Sequence, residues 1–123
     1  MEPILKNKAW LKNGRVAFRT INVTAILYED RIELLKKNGN LMSKILFSQI
    51  DWVDWVKIPT ESYLRFHLTS DEYFSLDFQS FIHRMIVYNT GVLGVIFGSY
   101  IGQSRNITQT WLQTLVKNGV RTK

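Results

Sequence analysis

The stretch YLRFHLTSDEYFSLDF, residues 63–78, restricts the fold more than any other part of the chain. Leu64, Phe66 and Leu68 alternate with Tyr63, Arg65, His67 and Thr69. After a polar break the alternation resumes, with Phe74, Leu76 and Phe78 against Tyr73, Ser75 and Asp77. A period of two means that successive side chains take opposite faces of a strand, so each run has one apolar face. A three-residue turn at Ser70, Asp71 and Glu72 sets Thr69 opposite Tyr73. Leu68 then faces Phe74, Phe66 faces Leu76 and Leu64 faces Phe78, with Arg65 across from Asp77 as a charge pair on the other side. A slip of one residue would turn every apolar side chain to water, so this register of an antiparallel hairpin is strongly specified.

The rest of the chain reads around that hairpin. Residues 1–13 mix Lys6, Lys8 and Lys12 with Ile4, Leu5, Trp10 and Leu11 and show no clean period. They form an extended arm or a short first strand, followed by a turn signal at Asn13-Gly14. RVAFRTINVTAILY, residues 15–28, alternates but changes face between Phe18 and Ile21, which predicts a bulge or a break near Thr20. Residues 32–37 are the next strand, and Asn38-Gly39 is a pair favoured in two-residue hairpins. Residues 41–57 return as strand in two pieces, ILFSQI and DWVDWVK. Six or seven antiparallel strands joined by short turns predict a small sandwich or a strongly bent sheet.

Beyond Phe78 the period changes. Phe78, Phe81, Ile82, Met85 and Ile86 recur at helical spacing, with Ser80 as N-cap and Gly91 as stop. A second helix is expected over 106–118, with Ile107, Trp111, Leu112, Leu115 and Val116 as its apolar stripe. Lys117 falls in its last turn and Gly119 just beyond.

At 123 residues the chain is read as one domain that buries a real core without covalent staples. There is no cysteine, which excludes disulfides and thiol chemistry and fits a reducing cytoplasm. The start of the chain lacks the apolar run of a secretory signal. The net charge of +6 favours anionic partners: nucleic acid, acidic lipid or an acidic protein. That charge is uneven. Residues 1–44 carry nine Lys/Arg against four Asp/Glu, residues 45–80 two against six, and residues 81–123 five against none.

A basic first hairpin, about seven strands and a final amphipathic helix carrying Trp111 together resemble the pleckstrin-homology-like superfold, including its GRAM-type members. The resemblance spans roughly residues 10–118, and its best local piece is ILYEDRIELL, residues 26–35, ahead of ILFSQIDWV. It implies an α+β fold, a strongly bent antiparallel sheet of about seven strands with a C-terminal capping helix. Residues 79–104 depart from that plan as an inserted helix and a Gly-rich apolar stretch. The run ILFSQIDWV, the hairpin and the end WLQTLVKNG also look like small bacterial proteins of this type encoded with mannose-type phosphotransferase systems. The resemblance implies non-catalytic binding: an adaptor for a protein partner or the anionic inner membrane surface, cytoplasmic or peripheral to the membrane, with no cofactor.

Two regions are candidate sites. The first is the basic set Lys12, Arg15 and Arg19 around the first turn, widened by Lys36, Lys37 and Lys44. A multiply charged ligand needs several converging donors of this kind, and the competing reading is a solvated basic face. The second is the uncharged stretch of residues 85–103, where Val92, Leu93, Gly94, Ile96, Phe97, Gly98 and Tyr100 form a candidate interface. Gly94, Gly98 and Gly102 repeat at four-residue spacing, which lets helices approach closely. Homo-oligomerisation, contact with a membrane and simple packing all remain open for it. No catalytic or metal site is expected. Asp51 and Asp54 take opposite faces of a regular strand, His67 and His83 are isolated, and phosphate-loop, nucleophile-elbow and dinucleotide motifs are missing. Nucleic acid is the less favoured partner, because the predicted Arg65–Asp77 pair neutralises the outer face of the hairpin.

Overall fold

A computed structural model describes residues 2–13, 21–58, 61–78 and 94–122. Seven strands, β1 Leu5–Asn13, β2 Ile21–Leu27, β3 Arg31–Leu35, β4 Leu41–Leu46, β5 Ile50–Ile58, β6 Glu61–Leu68 and β7 Tyr73–Asp77, precede one helix, α1 Gly94–Lys117. All strand pairs are antiparallel, in the order β4-β3-β2-β1-β7-β6-β5. The α+β expectation of a seven-stranded antiparallel sheet with a C-terminal helix therefore holds.

The connection between the two edge strands shows that the sheet curls. In a flat sheet β4 and β5 would lie six spacings apart, roughly 28 Å. Only a single 3-10 turn, Phe47–Gln49, joins them, and so few residues span at most about 15 Å. The edges are drawn together and fastened there. Phe47 N–H donates to the Asp30 carbonyl, Thr69 N–H to the Gln49 carbonyl, and Leu46 N–H to Gln49 Oε1. One core results, with Ile32, Leu34 and Ile45 from one half and Val53, Phe66 and Leu76 from the other in the same cluster.

Helix α1 closes this core with Trp111 and Leu115, both fully buried, and Thr108. The Trp111 ring packs 4.9 Å from that of Phe78, and its Nε1–H donates to Asn7 Oδ1 at 2.8 Å. The predicted stripe needs one correction: Val116 is 45% exposed, and Thr108 takes the buried place instead. The helix ends at Gly119, whose φ of +99° costs a glycine little. Gly119 N–H donates to the Val116 carbonyl and Val120 N–H to that of Leu115, the paired bonds of a Schellman cap. The chain then runs on to bridge β5 in parallel at Val53 and Thr122.

The start of the helix differs from expectation as well. A separate helix over 106–118 behind an insertion at 79–104 is not what forms, because α1 runs without a break from Gly94. Gly98 and Gly102 lower its intrinsic stability but do not end it. The helix predicted over 78–91, with Ser80 and Gly91 as its limits, lies outside the described residues, apart from Phe78 itself.

The opening hairpin keeps its faces and changes its register. Leu64 pairs with Leu76, Phe66 with Phe74 and His67 with Tyr73. The loop is Thr69, Ser70 and Asp71, closed by Leu68 N–H to the Glu72 carbonyl and Asp71 N–H to the Leu68 carbonyl. Asp71 has φ +68°, the left-handed residue of a three-residue hairpin loop. The β3–β4 turn repeats the plan: it is a three-residue loop, Lys37 to Gly39, in place of the two-residue one expected, with Gly39 in the left-handed position and matching bonds from Gly39 and Lys36. Moving the loop by one residue moves the pairing by two, so every apolar side chain stays inside.

That shift dissolves the expected Arg65–Asp77 pair. Arg65 lies opposite Ser75 in β7 and opposite Asp54 in β5. It donates from Nε and Nη2 to the two oxygens of Asp54 at 3.3 and 3.1 Å. Asp77 is fully buried across from Trp10.

Candidate anion-binding end and outer sheet face

The antiparallel order places the β1–β2 connection, the β3–β4 turn and the β6–β7 turn at one end of the sheet. Lys12 is in the last turn-ward residues of β1, and Lys36 and Lys37 are exposed in or beside the β3–β4 turn. Lys36 and Lys37 therefore share this end, whereas the Lys12 amine is turned back along the outer face to the Tyr63 ring. Lys44 does not join them. It lies on β4 opposite Glu33, roughly 10 Å along the strand from the turn at ordinary strand rise. Arg15 and Arg19 lie outside the described residues.

Beside this end a cavity of about 730 Å³ opens between β4 and the β6–β7 turn. Leu34, Met42, Ile45, Leu68 and Phe74 give it an apolar wall, and Ser43, Asp71 and Glu72 are its polar members. Asp71 and Glu72 are exposed, so the cavity is acidic on the side of the hairpin loop.

The face of the sheet away from α1 carries a second group of polar and aromatic side chains. Along β1 this face holds Lys6, Lys8, Trp10 and Lys12, while Leu5, Asn7, Ala9 and Leu11 turn toward the core. Lys6 and Lys8 are exposed, and Lys12 Nζ lies 5.5 Å from the centre of the Tyr63 ring. Lys6 and Lys8 are residues that the sequence reading passed over. The signal was present as an eight-residue alternation, hidden because Trp10 lies on the polar side and Asn7 on the apolar one.

Further along that face Asp54 binds two neighbours. Besides Arg65 it contacts His67 Nε2 at 3.1 Å, and the His67 ring stacks on Trp52 with centroids 3.6 Å apart. His67 is thus part of a cluster rather than isolated. The hydrogen bond to Asp54 is the main cause that raises the Arg65 guanidinium above its ordinary value. The sign follows from linkage. A cation whose folded pKa is raised adds stability that is fully present below its unfolded value and is lost only as pH passes the raised one. Arg65 therefore stays charged throughout the working range. Asp51, by contrast, is exposed and pairs with Arg121 at 3.0 Å, so the two carboxylates do not share a site. Among the described residues no group of three or more His, Asp and Glu side chains is placed to hold a metal ion.

Of the predicted interface, Val92 and Leu93 lie outside the described residues, while Gly94, Ile96, Phe97, Gly98 and Tyr100 belong to the first turns of α1. Among the described residues no helix is long and apolar enough to cross a membrane. No protein-family model and no curated protein matches the chain.

Proposed function

We propose that the chain is a non-catalytic binding domain of pleckstrin-homology-like type, an adaptor for a protein partner or for the anionic inner surface of a membrane. The observation that carries this reading is the exposed pair Lys36 and Lys37 at one end of a curled sheet whose core is closed by Trp111 of the terminal helix. Cations grouped at strand connections meet a charged surface without disturbing the core. The likeness to phosphotransferase-associated proteins extends the proposal to an accessory role in sugar transport by a cytoplasmic, membrane-peripheral protein.

Each lysine near an anionic bilayer contributes about 1 kcal/mol of binding. The double variant Lys36→Glu with Lys37→Glu is therefore expected to bind vesicles containing anionic lipid at least about 30-fold more weakly at low salt. Both residues are exposed, so its melting temperature should stay close to that of the wild type. Co-sedimentation measures the difference, and equal binding by the two proteins would remove the basic end from the function.

A basic nucleic-acid-binding regulator is the second reading, favoured by Lys6 and Lys8 on an outer face that also carries the half-buried Tyr63 and Tyr73. The acids on that face are engaged, Asp54 by Arg65 and Glu33 by Arg31. A protein that shifts single-stranded RNA or DNA and ignores the vesicles would establish this reading in place of the first.

Self-association through the start of α1 completes the proposal. Gly94, Gly98 and Gly102 share one face of that helix at four-residue spacing. Gly98→Leu is expected to reduce an oligomer to a monomer in light scattering, and a wild type that is already monomeric would sink the idea.

A further inference from the structure

The two edges of the curled sheet are finished differently. Edge β5 is covered by the chain end, where Val53 N–H donates to the Arg121 carbonyl, Thr122 bridges alongside, and Arg121 pairs with Asp51. Edge β4 has no such cover among the described residues, and Leu41 and Leu46 on it are 54% and 38% exposed. The alternation of an antiparallel ladder tells which backbone groups are open. Phe47 N–H reaches the Asp30 carbonyl of the β3 side, so Ile45 and Ser43 also bond inward to β3. Lys44, between them, directs its N–H and C=O away from β3. Gln49 Oε1 takes the N–H of Leu46, which marks the closed end of the edge.

We infer that β4 is a docking edge for an extended peptide of a partner protein, added as an eighth strand, with an acidic residue opposite Lys44 and an apolar residue on either side of it. This inference rests on the reading of the chain as a protein-binding adaptor and names the mode and the chemistry of the partner. Strand addition draws affinity from main-chain hydrogen bonds and specificity from pockets for alternate side chains, and both are present at β4. Met42, Ser43 and Ile45 line the cavity of about 730 Å³, which lies on the inner side of this edge. A strand beside β4 would send every second side chain toward that cavity, where Leu68 and Phe74 form the facing wall.

Charge fixes the pattern. Lys44 is exposed on the outer face, opposite Glu33, whose carboxylate is held by Arg31 Nε at 2.8 Å. A carboxylate opposite Lys44 in the added strand would meet a cation with no ion pair of its own among the described residues. A carboxylate pointed inward would meet Asp71 and Glu72 instead. The acid thus belongs on the outer face and its two neighbours, turned to the cavity, are apolar. The same lysine disfavours a second copy of the chain, because self-pairing of β4 brings Lys44 near its twin, the usual device by which edges avoid one another.

The test uses four labelled peptides of alternating valine and threonine: one with a central glutamate between two valines, one with lysine in place of the glutamate, one with the glutamate backbone nitrogen methylated, and one scrambled. The glutamate peptide is expected to shift the amide resonances of Lys44 and of residues 68–74. The lysine, methylated and scrambled peptides should bind at least tenfold more weakly. Lys44→Glu should invert the preference between glutamate and lysine. Equal binding of the methylated peptide, shifts elsewhere, or no binding by any of the four would overturn the inference. So would a concentration-dependent dimer abolished by Lys44→Pro, which assigns the edge to a second copy. Vesicle binding measured on the same preparation separates the cases, since it reports on Lys36 and Lys37 whether or not the peptides bind.

Discussion

Trp111→Ala is expected to destabilise the protein by about 3–5 kcal/mol, the range for deleting a large buried aromatic. For a chain of this size the melting temperature should fall by roughly 10–20 °C. Three losses combine at this side chain. Its surface is fully removed from water, so the transfer term is near its maximum. Its ring contact with Phe78, at 4.9 Å, is the tie between the helix and the end of β7. Its Nε1–H satisfies Asn7 Oδ1, which faces the core from β1 and would be left without that donor. Trp111→Phe separates these terms. It keeps most of the apolar contact and loses the hydrogen bond, so its cost should be about 1–2 kcal/mol. Urea unfolding followed by circular dichroism measures both variants. A loss under 1 kcal/mol for the alanine variant would show that the helix does not close the core.

The contact between Asn7 and Trp111 also explains why β1 was hard to read. The alternation of Leu5, Ala9 and Leu11 with Lys6, Lys8 and Lys12 is regular. It is interrupted by one polar residue on the inner side and one large aromatic on the outer side. Asn7 is inward because its partner lies 104 residues away, and nothing local announces such a partner. The fold class, by contrast, was legible. Strand periodicity, turn residues and the Lys117–Gly119 ending are local signals, and the structure follows them. The start of α1 was not, because glycines at Gly94, Gly98 and Gly102 look like breakers in a chain that tolerates them at a modest cost. The candidate site was legible in part. Lysines around turns can be read from sequence. Which connections share an end of the sheet depends on strand order, and Lys44 is set apart from Lys36 and Lys37 by its position along β4.

Phe66→Ala is the second large effect expected, again about 3–5 kcal/mol, and it tests the register of the hairpin. Phe66 is fully buried in β6 and its ring stacks on that of Phe74, with centroids 4.7 Å apart and planes within 9°. The register inferred from pattern alone put Phe66 opposite Leu76. Both registers bury the same residues, so hydrophobic periodicity cannot choose between them. The loop chooses. Asp71 is one of the few residue types that accept a left-handed conformation cheaply, and setting it last in the loop, as Gly39 is set in the other hairpin, makes Leu68 and Glu72 the closing pair. A double-mutant cycle reads the result. Phe66→Ala and Phe74→Ala should couple by about 0.5–1.5 kcal/mol, the value of a direct aromatic pair. Phe66→Ala and Leu76→Ala, which are diagonal neighbours, should couple less. If the larger coupling were found with Leu76, the loop would be Ser70 to Glu72 after all. Arg65 would then face Asp77 across β7 while still lying opposite Asp54 in β5.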